Sequence, residues 1–469
     1  MGIIPSDGTR SHVLLFPFMS KGHTIPLLHF AKMLLHRSIS VTVVTTPANY
    51  PFIKESLTGT SASVVTLPFP PATNIPVGVE STDKLPSMSL FFEFATATSA
   101  MQPHFEHLLH TLPCVNFMVT DGFLWWTLDS ATTFGIPRFV YYGMNCQSAS
   151  LSIEAMREGI LYGSQPDHEL VVLTRFPWIR LCKEHFDPSF RNPNPSSLSH
   201  VFLMKLMLSS QRSHGMLVNS FYELESTFVD YLNAESSPKH WCVGPLCLAE
   251  WTPKVYSDEG GKPTWIRWLD QKLEEKCHVV YVAFGSQAEI SPEQLEEIAL
   301  GLEESEVSFL WVMRREGWVA PEGFEERVKG RGIVVREWVD QIEILMHGSV
   351  EGFVSHCGWN SVLESLCAGV PIVAWPIMAE QFLNAVMVEE DVKVGFRVET
   401  CDGSVRGFVK REELKKSLRE MMKGEKGRKA REKMRRLAQM AKMATQVGGS
   451  SWSTLRSLLN ETCPCPDKK

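Results

Sequence analysis

The side chains best able to do chemistry are concentrated in one stretch, Trp338 to Gln381, which reads WVDQIEILMHGSVEGFVSHCGWNSVLESLCAGVPIVAWPIMAEQ. His356, Asn360 and Ser361 lie in a His-Cys-Gly-Trp-Asn-Ser turn that leads from a strand-like run into a helix pattern, Ser361–Ala368. Free N–H groups and the positive end of the helix dipole attract an anion there, such as a diphosphate. Ser286, after Phe284-Gly285 at the end of another strand pattern, is a further donor. Four such donors need no metal to hold the anion. Glu364 sits mid-helix beside Leu363 and Leu366, where it would repel a diphosphate unless aimed at hydroxyls such as those of a ribose. Hydrogen bonds to a charged group contribute about 1.5–3 kcal/mol each, enough to make that placement worthwhile. Trp338 follows the strand-like run Gly332–Glu337 and can stack a base, worth roughly 1–3 kcal/mol. These types in this order describe a clamp for a nucleotide carrying a sugar. Plainer roles stand beside it: Asn360 or Ser361 as helix caps, His356 as a structural histidine, Trp338 as core.

Such a clamp needs strands that end where helices begin. In the first half, His12–Phe18 reads as a strand, Ile25–His36 as an amphipathic helix and Val41–Thr46 as a β-branched strand. Strand, helix, strand in that order predicts a right-handed crossover and a parallel sheet. Further strands are expected at Ser63–Leu67, Phe117–Thr120, Arg138–Tyr142 and Met216–Ser220. A polar connector carrying Ser257-Asp258-Glu259-Gly260-Gly261 then precedes a second alternation. There His278–Phe284, Phe309–Met313, Ile333–Trp338, Gly352–Ser355 and Pro371–Trp375 read as strands. Val409–Ala444 reads as solvated basic helices, and Trp452–Leu459 as a last helix that must dock elsewhere. The expected organisation is a first domain over 1–246, a linker over 247–262, a second domain over 263–444, and a helix and tail over 445–469 that pack back on the first domain.

Composition narrows the function classes. With 469 residues and 44% apolar content the chain can bury two medium cores. A formal charge of −7 argues against a nucleic-acid partner. Eleven cysteines without metal-ligand spacing fit a reducing compartment, and the pair Cys463 and Cys465 is expected to do nothing structural. The N-terminus lacks the order of a signal peptide, and no run approaches the roughly 20 apolar residues that span a bilayer. A cytoplasmic protein without a membrane anchor is expected.

Trp338–Gln381, with its HCGWNS core, resembles the signature box of plant-type UDP-glycosyltransferases. The similarity extends over the whole chain, from the Gly22-His23 loop to the closing helices. The resemblance implies a GT-B fold, two Rossmann-like α/β domains facing each other across a cleft. It also implies that Trp338 stacks on uracil and that Gln341 and Glu364 hold the ribose. His356, Asn360 and Ser361, assisted by Ser286, would hold the diphosphate. Trp359, Glu380 and Gln381 would read the sugar hydroxyls, and a Gln at the last position favours UDP-glucose. Two positions depart from the family pattern: Asp340 and the His347-Gly348 step both stand where prolines are common. The first should alter the loop more than the chemistry.

The acceptor needs a base. His23 follows Gly22 after the first strand, and Asp121 follows the strand Phe117–Thr120. A carboxylate on one imidazole nitrogen fixes the tautomer and stabilises the protonated ring. His23 could then take the acceptor proton, an effect of about 10²–10⁴ in rate. The resemblance implies this pair as the catalytic residues. His12, His29 and His36 are assigned no role. Apolar walls from Phe91, Phe92, Phe94, Trp125, Trp126, Met144 and Phe202, some of them core, suit a small flavonoid, other phenolic or terpenoid alcohol. The expected reaction is inverting and metal-independent, needs no cofactor beyond the co-substrate UDP-glucose, and yields a β-O-glucoside from a monomeric enzyme. A nucleotide-sugar epimerase or hydrolase and a non-catalytic UDP-sugar-binding homologue are the alternatives. Neither Gly-x-Gly-x-x-Gly after a strand nor Gly-x-Ser-x-Gly occurs, which disfavours a nicotinamide oxidoreductase and a serine hydrolase.

Overall fold

Strand-forming runs of Val, Leu, Ile and Phe without polar alternation imply strands buried on both faces, as in a parallel sheet covered by helices. The computed structural model describes residues 11–162, 164–191, 194–249, 251–256, 261–315 and 317–463. Residues 1–10, Ser257–Gly260 of the expected linker, and Cys465 lie outside the described residues.

The first sheet contains β1 (His12–Phe16), β2 (Ser40–Thr45), β3 (Ser63–Thr66), β4 (Phe117–Asp121), β5 (Arg138–Tyr141), β6 (Gly215–Val218) and β7 (His240–Cys242). All pairs are parallel and the order is β3-β2-β1-β4-β5-β6-β7. The second contains β8 (Val279–Ala283), β9 (Ser308–Val312), β10 (Gly332–Val335), β11 (Val350–Ser355), β12 (Ile372–Ala374) and β13 (Gly395–Arg397). It is parallel too, in the order β10-β9-β8-β11-β12-β13. Each order reverses once, between β1 and β4 and between β8 and β11. Ligands of such open sheets bind beyond the carboxyl ends of the strands at that reversal. Each Rossmann-like sheet therefore has its own reversal point beside residues already singled out.

Several elements differ from expectation. The first helix runs Lys21–Leu35, so His23 lies in its first turn rather than in a loop before Ile25. Pro26 suggests a helix start because Pro suits a first turn. Here the helix begins earlier, on the Ser20 carbonyl, which accepts from the N–H groups of His23 and Thr24 at 3.0 and 2.8 Å. Asp121 is the last residue of β4, not the residue after it. Strand β10 stops at Val335, which leaves Trp338 on the following loop. Three-residue β7 and β13 are too short to give a periodic signal.

Contacts divide the chain into two compact units, one made of Met1–Cys146, Asn194–Glu250 and Ala444–Lys469, the other of Gln147–Pro193 and Trp251–Met443. The expected first domain over 1–246 is thus interrupted. The physical reason is hydrogen bonding: Ser148 Oγ donates to Asn384 Oδ1 at 2.9 Å, and Arg406 donates to the carbonyls of Glu184 and Phe186 at 3.1 and 3.2 Å. The helix Ser450–Thr462 places Leu455 and Leu458 in the core of the first unit with Val13, Leu15 and Trp241.

Candidate active site

In the first unit, His23 lies in the first turn of the helix that follows β1, and Asp121 ends β4, so both stand at or just beyond the ends of the two strands that flank the reversal. His23 Nδ1 lies 2.6 Å from Asp121 Oδ2, and the Phe123 N–H donates to Asp121 Oδ1 at 2.9 Å. Asp121 is fully buried while the His23 side chain remains 19% exposed, so the dyad has one anchored end and one accessible end. Beneath it Arg138 is buried, donating to Thr120 Oγ1 at 2.7 Å and Ser213 Oγ at 2.6 Å. Burial lowers its guanidinium to about 10, so it stays cationic at neutral pH and opposes the Asp121 charge. Phe18 and Phe123 flank the imidazole, with ring centroids 6.0 and 5.1 Å away, and Phe123 in turn meets Phe91, Tyr142 and Phe202. Of the expected wall residues, Phe94, Trp126 and Phe202 belong to the core, whereas Phe91, Phe92, Trp125 and Met144 are partly exposed. Gly143 leaves room at the outer nitrogen: a Cβ there would sit 3.6 Å from His23 Nε2.

In the second unit, β11 ends in a turn with Cys357 in the left-handed region at φ 62°. The Asn384 side chain donates to the Cys357 carbonyl at 2.9 Å, and the Cys357 N–H donates to Ser355 Oγ at 3.1 Å, which holds this unusual backbone. Burial pushes the Cys357 thiol up to about 12, so it stays protonated. The helix that follows runs Trp359–Ala368 with Gly358 as its cap residue, so Asn360 and Ser361 lie in the first turn and neither caps it. His356 is wedged between two glycines: a Cβ at Gly285 would lie 2.8 Å from its Nε2, and one at Gly358 2.6 Å from the same atom. Burial lowers His356 to about 4, which makes it a neutral hydrogen-bond donor rather than a counter-charge. Ser286 is partly exposed beside Gly285.

Gln341 opens the helix Gln341–Leu345 and ties the ribose candidates together. Its Nε2 donates to Ser361 Oγ at 2.9 Å and to Glu364 Oε2 at 2.8 Å, and its Oε1 accepts from the Tyr281 hydroxyl at 3.3 Å. Glu364 is partly exposed, but the protein around its carboxyl pushes it up to about 7; the Gln341 hydrogen bond opposes that rise and the nearby Asp340 charge adds to it. Trp338 is 44% exposed and so is not core, and the Arg314 guanidinium lies 4.6 Å from its ring centroid. Trp359 is 1% exposed and opens the helix Trp359–Ala368, so its side chain belongs to the core. Glu380 precedes the helix Gln381–Val386, and Gln381 Oε1 accepts from the N–H groups of Ile377 and Met378 at 2.9 and 3.0 Å.

Residues 10–248 match the family model of the glycosyltransferase N-terminal domain, and residues 272–438 that of UDP-glucoronosyl and UDP-glucosyl transferase. UDP-glycosyltransferase 90A1 of Arabidopsis thaliana is 55% identical over 468 residues, covering 97% of both chains. The chain belongs to the UDP-glycosyltransferase family. Solved structures agree with this. That of UGT73P12 from Glycyrrhiza uralensis, complexed with glycyrrhetinic acid 3-O-monoglucuronide, has a TM-score of 0.85 at 31% identity, covering 97% of this chain and 96% of its own. UGT2 from Phytolacca americana, complexed with UDP-2fluoro-glucose and pterostilbene, has a TM-score of 0.79 at 30% identity, covering 96% and 99%.

In this UDP-glycosyltransferase four neighbours of the candidate residues escape a reading of the sequence. Phe123 stands two residues beyond Asp121, and that spacing was its available signal. Arg138 lies 17 positions from Asp121, Tyr281 60 from Gln341 and Asn384 27 from Cys357, and nothing local marks them for those contacts.

Proposed function

We propose that this UDP-glycosyltransferase moves glucose from UDP-glucose to a hydroxyl of a small lipophilic acceptor, a flavonoid, other phenolic or terpenoid, with inversion. The observation that carries the reading is the His23–Asp121 pair at 2.6 Å, anchored at Asp121 and accessible at His23. With Nδ1–H given to the carboxylate, Nε2 is the basic nitrogen. It takes the proton of the acceptor hydroxyl, and the oxygen forms a bond to the anomeric carbon on the face opposite UDP. The bond to the phosphate oxygen breaks, UDP leaves, and the proton remains on an imidazole that Asp121 stabilises. An α-linked donor then gives a β-O-glucoside.

On the donor side, His356, Asn360, Ser361 and Ser286 donate to the diphosphate without a metal or any other cofactor, and Gln341 with Glu364 takes the ribose. Trp338 stacks the base. Trp359, Glu380 and Gln381 take the sugar hydroxyls. Support for glucose and for an aromatic or terpenoid acceptor comes from relatives: UDP-2fluoro-glucose with pterostilbene in one, and glycyrrhetinic acid 3-O-monoglucuronide in the other. The Phe18, Phe91 and Phe123 surfaces beside His23 suit such acceptors. A monomer in the cytoplasm completes the reading, supported by ten described cysteines none of which forms a disulfide.

The test is His23→Ala with UDP-glucose and a flavonol. Turnover should fall by about 10² or more while UDP affinity by calorimetry stays within about twofold. Normal turnover would remove the base assignment, and an α-glucoside by proton NMR would remove inversion.

A further inference from the structure

Asp340 and Glu343 occupy the cap and third helical positions of Gln341–Leu345. An acidic or hydroxyl residue followed three positions later by Glu ordinarily turns both side chains back onto the N–H groups of its own helix. Asp340 does not do so here, for no side chain caps this helix. Its Oδ2 lies 2.8 Å from Lys254 Nζ instead, and Glu343 Oε2 lies 3.2 Å from the same nitrogen. The Tyr256 hydroxyl donates to Glu343 Oε1 at 2.5 Å. Lys254 and Tyr256 belong to the connector Trp251–Tyr256, which has no regular secondary structure, so a connector holds the start of a five-residue helix.

So short a helix has little stability of its own. Its first residue is Gln341, whose amide bridges Ser361 and Glu364. The charges matter as much as the tether. Without Lys254, two carboxylates of one helical turn would stand uncompensated beside Gln341, one of them close enough to raise the Glu364 carboxyl.

We propose that Lys254 is a positioning residue for the nucleoside diphosphate: from the connector it holds Asp340 and Glu343, offsets their charge, and thereby fixes Gln341 against Glu364. The proposal rests on the reading that Gln341 and Glu364 bind the ribose. Lys254 is half-exposed and touches no substrate in this account.

Lys254→Met tests it, with UDP affinity read by calorimetry and KM and kcat for UDP-glucose read by turnover. Half-exposed ion pairs contribute modestly, so affinity should weaken about three- to tenfold, with kcat within about twofold. The loss should shrink in high salt, where such charges are screened. Lys254→Arg should restore affinity. Adding Asp340→Asn to Lys254→Met should recover part of the loss, because it removes one of the two uncompensated charges; a merely structural role for Lys254 would show no such recovery. Unchanged UDP affinity in Lys254→Met, or no recovery in the double variant, overturns the proposal. Glu364→Ala separates the two levels. If that variant binds UDP normally, the ribose reading itself fails; if it binds weakly while Lys254→Met binds normally, only the role of Lys254 fails.

Discussion

At the scale of single residues, the two units solve opposite problems with the same tool, burial. Asp121 is buried and held by the Phe123 N–H, with the Arg138 cation beneath it, so its position is fixed and it can orient His23. Asp121→Asn should cost turnover about 10² to 10⁴-fold, because an amide cannot fix the tautomer or stabilise the imidazolium, while UDP binding by calorimetry stays unchanged. No cation among the described residues offsets Glu364, and burial lifts its carboxyl to about 7. On the proposed reading ribose hydroxyls donate to the ionised form, so affinity for UDP-glucose should be constant well above that value and weaken as pH falls through it. The limiting slope is about tenfold per pH unit for a single linked proton. UDP-glucose is the right probe because its diphosphate does not titrate in this range. The sign for folding is reversed: a carboxyl with a raised pKa binds its proton more tightly in the fold. On this account the unliganded protein holds that increment in full below the ordinary carboxyl value of 4.5 and loses it as pH rises from there through about 7. A pH-independent affinity across this range would show that Glu364 does not meet the ribose as an anion.

At the scale of elements, the geometry depends on how β8 and β11 end. Gly285, at φ 78°, and Gly358 leave a slot that the His356 ring fills. Gly358→Ala adds one carbon without demanding an unusual backbone, so it should displace the imidazole, weaken UDP binding severalfold and barely shift the melting temperature. Gly285→Ala adds backbone strain of about 1 kcal/mol to the same clash and should lower both. Most strands were legible in the sequence because buried parallel strands are continuous runs such as Val279–Ala283. Their ends were less so. The first helix begins before Pro26 because the Ser20 carbonyl gathers its first N–H groups, and that acceptor carries no sequence signal. The candidate residues of the donor box were legible because they lie within one contiguous stretch. Arg138 and Lys254 were not, since each acts through a partner distant in the chain.

At the scale of the molecule, the chain enters each unit more than once. The first unit takes Met1–Cys146, Asn194–Glu250 and Ala444–Lys469, and the second takes the stretches between them. Leu455 and Leu458, on the helix Ser450–Thr462, complete a core begun by Val13 and Leu15 on β1. Leu458→Ala should therefore destabilise the protein by about 2–5 kcal/mol, read as a lowered thermal transition, although Leu458 lies far in sequence from His23. UDP affinity at a temperature below that transition should be untouched, since no donor candidate belongs to the first unit. This interlacing also sets an order of construction. The ribosome delivers the whole Trp251–Met443 segment before the helix that closes the first core, so the segments holding the donor candidates are all synthesised before the acceptor-side core is complete. Until then the apolar sheet face around Val13 and Leu15 lacks its last cover, and the nascent protein exposes apolar surface there.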